Sequence, residues 1–181
     1  MVFEGDVEEA IEVYMGTFGD TETHYEYTRE HHSNSRSTEN FVIQALDIKD
    51  YEEALFSSGD VILLSLRCTA TKKWEGVKFR FEIQYQDGTV AGTMLTDTAI
   101  EVCEGENILN LKFDTEHLTP GRYKVDIIAY LYDTYGNEQY LDGVYPGMIF
   151  EIDDTVSERN QLVWLHKYWG HIRLHDVEKE N

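Results

Sequence analysis

The chain has 181 residues with 41% hydrophobic content, room for one domain with a sizeable core and appendages but cramped for two. Asp and Glu number 35 against 15 Lys and Arg, and the resulting −20 at pH 7 repels phosphate backbones and anionic lipid surfaces, so nucleic acid is not an expected partner. Two cysteines without CxxC spacing build neither a disulfide framework nor a metal site, and no run approaches the roughly 20 apolar residues of a membrane span, so no direct membrane insertion is expected.

In chain order, the opening residues include Glu4, Asp6, Glu8 and Glu9, without the basic and apolar regions of a signal peptide. The chain therefore reads as cytosolic. Val7, Ala10, Ile11 and Tyr14 share one helical face, so a short amphipathic helix is expected over residues 5–14, too short to hold in water unless it docks. Residues 16–40 are polar and read as a linker or exposed arm, with Tyr25 and Tyr27 alone hinting at an edge strand. Phe41, Ile43 and Ala45 open the first strand of the body, and residues 50–59 connect it to the next. Residues 61–70 are nearly continuous apolar sequence and read as a central strand buried on both sides. After a loop at 71–76, Val77, Phe79, Phe81, Ile83 and Tyr85 alternate with Lys78, Arg80, Glu82, Gln84 and Gln86. Asp87-Gly88 then signals a hairpin into a strand at 89–96, and further strands are expected at 100–102 and 107–113.

The most sharply specified stretch is Leu118-Thr119-Pro120-Gly121-Arg122-Tyr123. Proline and glycine at its centre suit a type II turn, since proline presets φ and glycine accepts a positive one. Tyr123, Val125, Ile127, Ala129 and Leu131 then alternate with Asp126, Ile128, Tyr130 and Tyr132, the period-2 pattern of a sheet with one buried face. A tyrosine so placed resembles the tyrosine corner of immunoglobulin-like sandwiches, with Tyr123 bonding back to upstream backbone. Residues 135–138 turn the chain, residues 142–147 read as a loop, and Met148, Phe150 and Ile152 form a last core strand. The fold class is thus all-β: an antiparallel β-sandwich, immunoglobulin-like or jelly-roll, with a short N-terminal helix. Its expected parts are helix and arm at 1–39, sandwich at 40–152 and a C-terminal segment at 153–181. Trp164, Leu165, Trp169, Ile172 and Leu174 make that last segment too apolar for a free tail, so it is expected to pair at a sheet edge or exchange with a second copy.

Three places together carry a family resemblance. Gly5-Asp6-Val7 through Tyr14 resembles the final helix of the ATP-binding subunits of polysaccharide, O-antigen type, ABC transporters. The sandwich with Asp87-Gly88-Thr89 and the Pro120 corner is similar to their C-terminal carbohydrate-binding extension, and Trp169-Gly170-His171 resembles its ending. The resemblance implies a non-enzymatic module without cofactor. It would recognise an O-antigen or related glycan at the cytoplasmic face of the cell membrane, as a homodimer with the transporter ATPase and membrane subunits as partners. No GxxxxGK[ST] loop is present to hold phosphates, so the ATPase itself is not expected in this chain.

Sugar binding needs aromatic faces for C–H patches and planar polar groups for hydroxyls. Arg80, Glu82 and Gln84 of one strand and Asp126, Tyr130 and Tyr132 of another supply both, on one sheet face if the strands are neighbours. A solvated face with ordinary cross-strand ion pairs is the plainer reading of the same residues. Trp74, Tyr140 and Tyr145 form a second candidate, as loop aromatics that either bind sugar or lid the core ends. Two rival functions remain: a glycoside hydrolase using a carboxyl pair such as Glu82 and Asp126, and a structural dimerisation or adaptor domain. His171 and His175 stand four apart without an HExxH motif, a weak metal signal, and neither cysteine has the setting of an activated nucleophile.

Overall fold

The computed structural model describes residues 20–33, 39–153, 164–175 and 177. The helix expected over residues 5–14 lies outside them. The strands run β1 (His24–Glu26), β2 (Phe41–Ile48), β3 (Leu55–Ser57), β4 (Val61–Ala70), β5 (Trp74–Tyr85), β6 (Val90–Leu95), β7 (Ile100–Val102), β8 (Gly105–Asp114), β9 (Gly121–Tyr132) and β10 (Glu138–Asp153), followed by a one-turn helix α1 (His166–Trp169). They form two sheets packed face to face. The four-stranded sheet has the order β1-β2-β4-β8, and the six-stranded sheet runs β3-β10-β9-β5-β6 with β7 paired to β5 off that path. All pairs are antiparallel except β3 with β10.

Alternation decides which side chains enter the core. Ile43, Leu64 and Leu66 from the smaller sheet meet Phe79, Val125 and Phe150 from the larger, all essentially inaccessible to solvent. Cys68 lies in this core, and burial pushes its thiol up to about 12. It is an inert packing residue.

Four expectations need correction. β4 is not buried on both sides: Val61 and Leu63 are half exposed, because its second face is the open face of the smaller sheet. Residues 142–147 are not a loop but the middle of the 16-residue β10, whose two register shifts absorb the Gly and Pro of this stretch. The connection at 50–59 contains β3, which adds a parallel strand at the edge. At the corner, Gly121 takes φ 141°, positive but far beyond the roughly +80° of a type II turn. The hydrogen-bonded turn lies earlier, with Leu118 N donating to Thr115 O (2.9 Å).

The tyrosine corner itself is present. The buried Tyr123 phenol donates to Thr119 O (2.6 Å). The C-terminal segment seals it from outside. Thr119 N and Oγ1 donate to His171 O (3.3 and 3.0 Å), and Arg173 N donates to His117 O (2.9 Å). The rings of His166 and His171 both stack on Tyr85 with centroids 4.2 Å away, and their Nδ1 atoms stand 2.9 Å apart.

Candidate functional site on the outer face of the larger sheet

The pairing of β5 with β9 sets Glu82 opposite Asp126, Lys78 opposite Tyr130, Arg80 opposite Ile128 and Gln84 opposite Lys124. Directly opposed residues share a face. Arg80, Glu82, Gln84, Asp126, Tyr130 and Tyr132 therefore all belong to the outer face of the six-stranded sheet. Arg80 organises one half of it. Its Nε donates to Glu82 Oε1 (2.8 Å), its Nη1 donates to both Glu138 oxygens (3.1 and 2.9 Å), and its guanidinium lies 5.4 Å from the centre of the Tyr130 ring. Tyr132 meets Tyr130 edge to face with centroids 5.6 Å apart.

Alternation marks Asp126 and Tyr130 as outward, but neither is open to solvent. Asp126 is 6% exposed and Tyr130 2%. The cause is β10. Between Val144 and Met148 that strand leaves its register, so that Tyr145, Pro146 and Gly147 stand opposite the single residue Asp126. Tyr140 opposes Tyr130. A Cβ on Gly143 would meet the hydroxyls of Tyr140 and Tyr145 at 2.5 and 2.8 Å, so the missing side chain is what lets both tyrosines lie down over the sheet. The accessible surface is thus Tyr132, Tyr145, Arg80, Glu82, Glu138 and Gln84, with Asp126 and Tyr130 beneath it.

Asp126 is the most unusual group of the face. Gln84 Nε2 donates to its Oδ2 (3.1 Å), while Oδ1 is buried without a hydrogen bond. Burial pushes its carboxyl above the usual range, against Lys124 and assisted by Glu82.

Sequence reasoning missed Glu138, although the tight turn after Asp133 sets it opposite Tyr132 and counting the hairpin register finds it. The structure joins Tyr140 and Tyr145 to the main candidate face. Trp74 goes elsewhere: it opposes Val102, packs on the core, and carries Lys72 Nζ 4.1 Å above its ring. A separate cleft of about 530 Å³ opens between the β5–β6 hairpin and the C-terminal segment, lined by Asp87, Thr89, His166, Trp169 and His171 among others. Among the described residues no group of three or more His, Cys, Asp and Glu is placed to hold a metal ion, and no helix is long and apolar enough to cross a membrane.

Two packed sheets with a polar and aromatic outer face on the larger one define an all-β sandwich domain. The chain belongs to the Wzt C-terminal domain family, whose model matches residues 32–165. That membership ties it to the O-antigen ABC transporter. Among solved structures, the crystal structure of the C-terminal domain of wzt is similar with a TM-score of 0.61 and 12% identity, over 83% of this chain and 92% of that one. At that identity the likeness establishes the fold. The Pseudomonas fluorescens alkylpurine DNA glycosylase AlkC, bound to DNA containing an abasic site analog, matches 62% of this chain and 30% of its own at 18% identity. Its TM-score of 0.41 carries no argument. A comparison with curated protein sequences found no match.

Proposed function

We propose that the chain is a non-catalytic carbohydrate-binding module that holds an O-antigen or related glycan on the outer face of the larger sheet. It would act at the cytoplasmic side of the cell membrane, for export by the ABC transporter to which its family belongs. One observation carries the reading: β10 folds two tyrosines over the face beside the Arg80–Glu82–Glu138 network, giving stacking surfaces next to planar hydrogen-bonding groups. An ordinary solvated sheet face has no need of that arrangement. The hydrolase reading is weaker, since Asp126 is bonded to Gln84 and covered, and Glu82 is bonded to Arg80. Two such groups do not flank a sugar across a cleft.

A shallow, wet site of this kind gives a dissociation constant on the order of 10 µM to 1 mM. Titration against a panel of bacterial polysaccharide fragments tests it directly. Binding without product is expected; cleavage would make the chain a hydrolase, and no binding would leave the adaptor reading. Tyr132→Ala should weaken binding about tenfold or more with Tm nearly unchanged, because this ring is 55% exposed. If Tyr132→Ala binds normally and Trp169→Ala does not, the site is the cleft beside the C-terminal segment.

A further inference from the structure

Where β10 leaves its register with β9, the backbone of residues 145–149 is held from the other side. β3 pairs with β10 at Glu151, Ile152 and Asp153, and beyond that point the strand edge is met by the segment that precedes β2. The Tyr27 phenol donates to Gly147 O (2.5 Å). The Tyr25 phenol donates to Ile149 O and accepts from Ile149 N, both at 3.0 Å. His32 bridges to Val144, and its Nδ1 lies 3.0 Å from Oδ1 of the fully buried Asp142. Asp142 Oδ2 in turn accepts from Ile43 N (2.7 Å), at the point where β2 has its own register shift. Both tyrosine rings pack against the core, and β1 ties the same segment to the smaller sheet.

These partners sit at the two register shifts that shape the candidate face. Tyr145 and Gly147 belong to the bulge over Asp126, and Asp142 follows the shift that brings Tyr140 into place.

We propose that residues 24–32 are a positioning element of the sheet-face site: through Tyr25, Tyr27 and His32 they hold the bulged stretch of β10 so that Tyr140 and Tyr145 lie over the sheet. Glycan affinity then depends on two phenols that themselves bond the far edge of β10. This rests on the reading of the face as a glycan site, and the test separates the two.

The test compares the native chain with the Tyr25→Phe, Tyr27→Phe double variant by amide hydrogen exchange and by titration with delipidated bacterial O-polysaccharides. Removing the phenols strips the hydrogen bonds from the β10 edge, so exchange at residues 147–149 should rise about tenfold while the centres of β4 and β9 change little. Affinity for any O-polysaccharide that the native chain binds should fall roughly three- to tenfold, by the same loss. Ile62→Val, a core change on β4 of the smaller sheet that lowers Tm, should bind like the native chain. Unchanged exchange at 147–149 would overturn the proposal, and so would faster exchange with unaltered affinity. A native chain that binds no polysaccharide sinks the glycan reading instead, and exchange still decides whether the segment holds β10. Tyr27→Phe alone serves if the double variant does not fold.

Discussion

Two buried residues show how far alternation reaches. The period-2 pattern after Pro120 puts Tyr130 and Asp126 on the outer face, and both are there. It cannot say that β10 bulges opposite Asp126, because that depends on a register shift some 20 residues away in sequence, nor that Arg80 and Tyr132 close on Tyr130. Tyr130→Ala is therefore no neutral probe of binding, since the ring it removes is 2% exposed. Asp126 bears on stability in a definite direction. Its carboxyl is held above the usual range by burial, so the native state loses stability as pH rises through that range and the group ionises. Asp126→Asn removes this loss. It should raise Tm at pH 7, with the gain vanishing below about pH 4, where the native acid is protonated. A thermal melt series across pH checks it; a lower Tm at neutral pH would show that the carboxylate is satisfied after all. Tyr123 was legible outright, because a proline-glycine corner before a strand leaves a phenol few other roles. Tyr123→Phe leaves the buried Thr119 O without its 2.6 Å donor, and should cost about 1 to 3 kcal/mol in urea denaturation. A cost below a few tenths would refute the corner.

At the scale of elements, the strands of the body were readable wherever one face meets the core, as in β2, β5 and β9. What was not readable is how β10 and the two chain ends are used. Asp142-Gly143 and Pro146-Gly147 look like loop punctuation, yet here they mark bulges in one continuous strand, and only the partner strand distinguishes the two cases. The C-terminal segment carried a pattern of apolar residues but no hint that histidines fasten it. His166 Nε2 donates to Pro120 O (2.7 Å), so the neutral ring offers a lone pair at Nδ1 to the Nδ1–H of His171. Two protonated rings cannot share that contact. Burial holds His166 below its ordinary pKa, with Pro120 O and Asp87 opposing and His171 assisting. The undocked ring therefore takes its proton first, and docking is at full strength above about pH 6.5 and weakens as pH falls. Proteolysis within residues 164–175 should accelerate between pH 7 and 5, and His166→Gln should flatten that dependence. A rate indifferent to pH in the native chain would remove the histidines from this role.

For the whole molecule, assembly is the open consequence. The C-terminal segment meets the body through hydrogen bonds and ring stacking around one corner, contacts of a kind that an exchanged segment of a second copy would make as well. We expect a homodimer in sedimentation, and a monomer when residues 155–181 are deleted; a truncated chain that still sediments as a dimer would remove the idea. The stitching of residues 24–32 to both sheets has a mechanical meaning as well. Tension on the chain ahead of His24 is shared between the two sheets. It enters through the short β1 and the two phenols, and the load path leads to the edge of β10 beneath Tyr145. A pull on this domain from its N-terminal side thus loads the β1–β2 pairing and the far edge of β10 together.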